Sequence, residues 1–138
     1  MKLDHIGINV SDLPRSVAFY EAALGALGLC KLGEVGGWIG FGGGAAPELW
    51  LGRGATQPPQ SCHFAFAVPT RAEVDAFYAA GLAAGGSHRD APRLHPEYHP
   101  NFYAAMVFDP DGHNLEVVCH LPQQFSIWQA RPRGMKPG

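Results

Sequence analysis

"AFYEAALGALG" (18–28) and "AFYAAGLAAGG" (76–86) are two versions of one phrase, 58 residues apart. Each follows a strand-like run that ends in valine, Val10 before the first and Val68 before the second. Each also carries a helix start signal. In the first it is Ser11/Asp12 with Pro14; in the second it is Thr70 with Glu73 three residues on, the capping-box pattern. Val17, Tyr20, Leu24 and Leu27, then Val74, Phe77 and Leu82, recur near helical spacing, and Gly28 and Gly86 stand where helices tend to stop. Three short strand-like runs follow each helix: 29–34, 37–42 and 47–52, then 87–90, 102–108 and 114–120. The pattern is βαβββ twice, an α+β chain, with "TQPPQ" (56–60) as the joint. The predicted organisation is one domain over 1–120, with repeat one at 1–55 and repeat two at 61–120, followed by a C-terminal tail at 121–138.

Composition narrows the function classes. The chain has 138 residues, 16% of them charged, and a formal net charge of −2. Lys and Arg are few and scattered, so neither a nucleic-acid partner nor an anionic membrane surface is expected. No apolar run approaches the roughly 18 residues that a membrane span needs. "MKLDHIGINV" (1–10) enters a strand pattern at once, which leaves no room for a signal peptide. Cys30, Cys62 and Cys119 cannot all pair and lack zinc-finger spacing; buried reduced thiols in a cytoplasmic protein are expected.

The repeat singles out two histidines. Of the 7 in the chain, only His5 and His63 are related by the 58-residue offset, and each opens its repeat. Residues two apart share one face of a strand. Ile6, Ile8 and Val10 therefore share a face opposite His5, Gly7 and Asn9. Phe64, Phe66 and Val68 likewise lie opposite His63, Ala65 and Ala67. In the last strand of each repeat, Leu49 and Leu51 face away from Glu48, and Leu115 and Val117 away from Glu116. "PELWLG" (47–52) sets Glu48 within an apolar run, where a buried carboxylate costs several kcal/mol unless compensated. Two imidazoles and two carboxylates among small residues suit one divalent ion, of the Mn, Fe, Co, Ni or Zn type rather than calcium.

These residues resemble the vicinal oxygen chelate superfamily, which includes glyoxalase I, extradiol dioxygenases, fosfomycin-resistance thiol transferases and bleomycin-resistance proteins. The resemblance rests on "LDHIGINVSDLPRSVAFYEAALG" (3–25), "CHFAFAV" (62–68) and "FDPDGHNLEVV" (108–118). It implies two βαβββ modules forming a cleft around a metal, most like glyoxalase I in the ligand pattern. That pattern falls on His5, Glu48, His63 and Glu116. The activity implied is a divalent-metal-dependent lyase or isomerase, acting through an enediolate on a small substrate with vicinal oxygens, with Glu116 or Glu48 as the catalytic base. Dioxygenases and thiol transferases of the superfamily use only two His and the last Glu, so those chemistries are alternatives on the same site. A non-catalytic binder of the bleomycin-resistance kind is the alternative of another class. The resemblance further implies a homodimer in which His5 and Glu48 of one chain share a metal with His63 and Glu116 of the other.

Several features depart from the glyoxalase pattern. Small bacterial glyoxalases I hold glutathione with an arginine and an asparagine where this chain has Asn9 and Gly52. The second repeat is longer: Glu48 and Glu116 are 68 apart while the histidines are 58 apart. The surplus is "APRLHPEYHPNFY" (91–103). Pro96 and Pro100 argue against a helix there. It is either an exposed loop or a lid that brings Arg93, His95, His99 and Tyr103 toward substrate. His113 in the DPDG turn is expected to be a surface turn residue. Phe125 and Trp128 could dock the tail on a neighbour, and Arg131, Arg133 and Lys136 are too few for a nucleic-acid arm.

Overall fold

A computed structural model of the chain describes residues 1–54 and 62–123. The TQPPQ joint and the tail residues Phe125, Trp128, Arg131, Arg133 and Lys136 lie outside the described residues. The first repeat runs β1 (Ile6–Val10), α1 (Leu13–Gly25), β2 (Cys30–Val35), β3 (Trp38–Gly42) and β4 (Leu49–Arg53). The second runs β5 (His63–Ala67), α2 (Arg71–Ala83), β6 (Ser87–Leu94), β7 (Tyr103–Phe108) and β8 (Asn114–Cys119). This is βαβββ twice, an α+β fold.

Each repeat makes one four-stranded sheet, in the orders β1-β4-β3-β2 and β5-β8-β7-β6. The first and last strands of a repeat are neighbours and run parallel; the other pairs are antiparallel. The alternation in sequence becomes a division of faces. Ile8, Val10, Leu49 and Leu51 in one sheet, and Leu115 and Val117 in the other, are buried. They join Phe19, Tyr20, Val74 and Phe77 of the helices in one continuous core. Each such side chain contributes about 1.5–3 kcal/mol on burial.

The helix starts follow the sequence signals. Asp12 accepts a hydrogen bond from the Arg15 N–H, and Thr70 and Glu73 close a reciprocal capping box. The first stop is the predicted one, with Gly28 in the left-handed region at φ +75°. In the second helix that role falls to Gly85, at φ +99°, one residue before the predicted Gly86. Gly86 is required for a different reason: a Cβ there would lie 2.6 Å from Val107 and 2.7 Å from Phe19. Its missing side chain lets the end of α2 close onto β7 and α1.

Polar bridges from the DPDG turn bind the two halves together. Asp109, buried, accepts from the Tyr20 hydroxyl at 2.7 Å and from the backbone N–H groups of Asp111 and His113 at 2.9 Å each. Burial, reinforced by the Asp109 charge, holds the Tyr20 phenol well above its ordinary pKa. His113 is buried rather than on the surface, which corrects the expectation for it. Its Nδ1 accepts from the Cys62 N–H at 3.0 Å, so Nε2 carries the proton and donates to the Asn9 carbonyl at 2.9 Å. The turn places this ring between the first strands of both repeats, a long-range pairing that a local turn signal cannot reveal. Cys119 is buried and Cys62 partly so, but Cys30 is exposed on β2, contrary to the expectation of three buried thiols. Among the described residues, no helix is long and apolar enough to cross a membrane.

Candidate functional site

His63 begins β5 opposite Asn114, and Glu116 lies two residues further along β8 on the same face. The face opposite the core thus carries both side chains. His63 Nε2 stands 3.2 Å from Glu116 Oε2, with the carboxylate buried and the imidazole half exposed. Two ligands bound to one divalent ion at about 2.0–2.2 Å sit roughly this far apart. The other ring nitrogen, Nδ1, is 3.3 Å from the Asn114 carbonyl, to which it donates. That bond turns the Nε2 lone pair toward the carboxylate, as in metal-binding histidines oriented by a backbone acceptor. Two lone pairs facing each other at this distance call for a cation between them, either a proton or a metal ion.

The first repeat offers a looser counterpart. His5 lies one step before the pair Ile6↔Leu49, opposite Glu48, whose carbonyl accepts the Ile6 N–H. His5 Nδ1 is hydrogen-bonded to the Asp4 carboxylate, which again leaves Nε2 with the free lone pair. Asp4 is a residue that sequence reasoning missed; its signal was adjacency to His5 in "LDHIG". Glu48 itself is exposed, not buried, so its charge needs no compensation from burial. The Glu48 N–H donates to the Phe41 carbonyl of β3, and among the described residues its carboxylate receives a long bond, 3.4 Å, from the Gly43 N–H.

Strand register adds an asymmetry that residue spacing hides. Gly7 pairs with Trp50 in the first sheet, and Ala65, its repeat mate, pairs with Glu116 in the second. The positional counterpart of Glu116 is therefore Trp50, and the counterpart of Glu48 is Asn114. Within a single chain, and among the described residues, no group of three or more His, Cys, Asp or Glu comes together to hold a metal. The structure brings His63 to Glu116 and sets His5 opposite Glu48, as two separate pairs.

The other candidates fall in distinct places. Asn9 is exposed on the same face as His5, with its carbonyl taken by His113. The longer second repeat is not a loose loop: β6 extends to Leu94, and His95 is buried. The His95 ring stacks on Tyr98 and meets Phe102 edge-on. His99 Nε2 meets His120 Nδ1 at 2.9 Å, and its Nδ1 accepts from the Asn101 N–H. Arg93 pairs with Asp90 at 3.2 Å. Tyr103 lies on the core side of its sheet, with its hydroxyl donating to Asp75 at 2.7 Å. Burial and the Asp75 carboxylate push its phenol up to about 12. Tyr103 thus faces away from Glu116 and cannot reach a substrate there.

Residues 2–117 match the family model of the Glyoxalase/Bleomycin resistance protein/Dioxygenase superfamily, and the chain belongs to that superfamily. Among solved structures it is similar to a glyoxalase/bleomycin resistance protein from Albidiferax ferrireducens T118. That match has a TM-score of 0.73 and 26% identity, covering 84% of this chain and 97% of that one. The fold is also shared with a glyoxalase-related enzyme from Fulvimarina pelagi, at TM-score 0.65 and 22% identity over 86% of this chain and 88% of that one. A third is the fosfomycin resistance protein FosX from Mesorhizobium loti, at TM-score 0.65 and 19% identity, covering 93% and 95%. No curated protein matches the chain.

Proposed function

We propose that the protein is a divalent-metal-dependent, glyoxalase-like enzyme acting on a small substrate with two neighbouring oxygens. Its sites are completed across a twofold homodimer. The observation that carries this reading is the His63–Glu116 pair: ligand-like spacing, a buried carboxylate, and an imidazole whose other nitrogen is already committed to Asn114. His5, oriented by Asp4, is the donor of the first repeat. Within one chain the donors form two half-sites, which a second copy related by twofold symmetry would bring together. His63, Glu116 and the partner copy's equivalent of His5 would then hold the ion. A bound divalent ion supplies Lewis acidity that stabilises negative charge developing on the substrate oxygens. Glu48, exposed and weakly tied, is the carboxylate free to accept the substrate's proton; Glu116, fixed in the sheet, holds its position.

A second reading shares the site. Trp50 occupies the register position of Glu116, which favours a three-ligand set of His5, His63 and Glu116 with no fourth-strand carboxylate, as in the dioxygenase and thiol-transferase branches. Substituting Glu48→Gln tests the ligand count that both readings share. Unchanged metal affinity supports three ligands, and a large loss supports four.

Complementation tests the shared site. His5→Ala and Glu116→Ala chains are mixed under exchange so that mixed dimers form. A mixed dimer collects both defects at one site and leaves the other whole, so about a quarter of all sites should regain metal with random pairing. With mixed dimers verified by mass, no recovery would overturn the shared site. Absence of stoichiometric metal in the unaltered protein would favour the non-catalytic binder instead.

A further inference from the structure

Three glycines of the first sheet, Gly7, Gly40 and Gly52, are not spacers; they make room for indoles. On the face that carries His5, Trp38 lies across Gly52, its cross-strand partner on β4, and reaches Gly7 on β1 beyond it. A Cβ on Gly52 would come within 2.6 Å of the Trp38 ring, and one on Gly7 within 3.4 Å. Gly40 is similarly covered, by Pro47 at 2.6 Å and by the Trp50 ring at 3.0 Å. Glycine in strand interiors weakens a sheet, so three such positions beneath two large rings describe a surface shaped for something other than stability. The rings form the floor of an open pocket of about 330 Å³, lined by His5, Gly7, Val35, Trp38 and Trp50. That volume matches the lower end of small-molecule sites. Among the described residues, no Lys, Arg, Asp or Glu lines it. Trp38 is 38% exposed and Val35 68% exposed, so the apolar surface stands uncovered in the single chain.

We propose that the pocket formed by Trp38, Trp50 and Val35 receives a flat, uncharged aromatic group of the substrate, directly beside the His5 half of the candidate metal site. The inference rests on the metal-site reading above and adds the substrate class to it. Two indoles and a valine suit an aromatic ring, which gains both area burial and ring–ring attraction. A charged tripeptide thiol finds no partner there, because Trp38 fills the space above Gly52. The aromatic group would lie against the tryptophans while its paired oxygens point toward His5. A second copy of the chain is the competing occupant of this apolar floor.

The test compares two chelators with the same pair of oxygens, benzohydroxamate and acetohydroxamate, by titration calorimetry on the metal-loaded protein. The phenyl compound should bind about tenfold tighter or more, a preference of the size that ring burial and stacking give. Trp50→Ala should bring the ratio near one while leaving acetohydroxamate binding in place. Trp50→Phe should keep most of the preference, and Val35→Asp, at an exposed strand position, should reduce it. Tight acetohydroxamate binding with a ratio near one in the unaltered protein overturns the aromatic pocket and leaves the metal reading standing. If the protein holds no metal and neither hydroxamate binds, the metal reading fails. The pocket is then judged by 2-naphthol, which lacks paired oxygens: binding that Trp50→Ala abolishes supports it, and no binding overturns it. A shift of the monomer–dimer equilibrium on Trp50→Ala, without change in the hydroxamate ratio, assigns the floor to a second chain and overturns the proposal.

Discussion

The two sheets are built on one plan and end in different chemistry. In the second, His63 and Glu116 stand 3.2 Å apart on a carboxylate-bearing strand whose backbone also orients the imidazole. In the first, the same register position is an indole, and the carboxylate lies two pairs outward, exposed beside a glycine turn. The second sheet supplies charge held rigidly; the first supplies an imidazole, apolar surface and one loosely held carboxylate. The two repeats thus share the scaffold and the paired histidines, while the fourth and eighth strands differ. Under the proposed function, such an asymmetric site would fix a metal from one wall and select a substrate with the other.

Metal affinity should expose the difference most strongly. Glu116→Gln is expected to weaken binding by well over 100-fold, beyond the 10–100-fold typical of losing an orienting group. Glu48→Gln should cost less than about tenfold. Equal losses, measured by competition with a chelator dye, would restore the symmetrical four-ligand picture. Asp4→Asn, which keeps the size of the His5 partner but removes its charge, should fall between them.

Stability offers a second contrast, between the two helix ends. Gly86→Ala forces a Cβ to within 2.6 Å of Val107 and 2.8 Å of the Gly81 carbonyl, and should destabilise by about 2 kcal/mol or more. Gly25→Ala at the end of α1 meets no atom within 4 Å and should stabilise by a few tenths to about 1 kcal/mol. Urea titrations of both variants decide the matter; a loss at Gly25 would mean that the first helix end is tighter than its open surroundings indicate.

The polar bridge between the halves should appear in the pH dependence. Asp111 receives the Ser11 hydroxyl and backbone N–H and lies near Arg15. Partial burial raises its pKa, but the Ser11 bonds and the nearby Arg15 charge outweigh that and hold it below the ordinary range. A depressed carboxylate contributes stability above the unfolded-state pKa near 3.9, and that contribution disappears as pH falls through the folded value. Asp111→Asn should therefore flatten the acid limb of the stability profile. The buried Tyr20 acts in the opposite direction. Its raised phenol contributes fully below about pH 10, and the contribution is lost as pH climbs toward the folded value. Tyr20→Phe should flatten the alkaline limb, with a loss at neutral pH of about 1–3 kcal/mol from stranding the buried Asp109. An unchanged alkaline limb would exclude Tyr20 as its source.

The duplicated helices were legible in the sequence because capping and helical spacing are local. The paired histidines were legible because an offset is arithmetic on the chain. Register was not. Their places in the last strand-like run of each repeat made Glu48 and Glu116 look equivalent, yet parallel pairing of β1 with β4 and β5 with β8 aligns Glu116 with Trp50. Nothing local in "PELWLG" states which residue faces Gly7. His113 escaped for the same reason, since its partner carbonyl on Asn9 lies 104 positions away. The indole floor escaped because glycines in a strand read as weakness until the rings above them are placed.

The parallel pairing of first and last strands has a kinetic consequence. Ile6 meets Leu49 and Phe64 meets Leu115, so each sheet closes only when the final strand of its repeat arrives. Such non-local closure slows folding relative to hairpin-by-hairpin assembly. The strands that close last carry Glu116 and, just ahead of β4, bring Glu48, so an ion would have no half-site to grip until closure has occurred. Added metal should accordingly slow unfolding of the chain while leaving the refolding rate nearly unaltered. Stopped-flow refolding that quickens with metal would place the His63–Glu116 contact in the transition state instead. The chain would on this account complete its sheets first and acquire its ion afterwards.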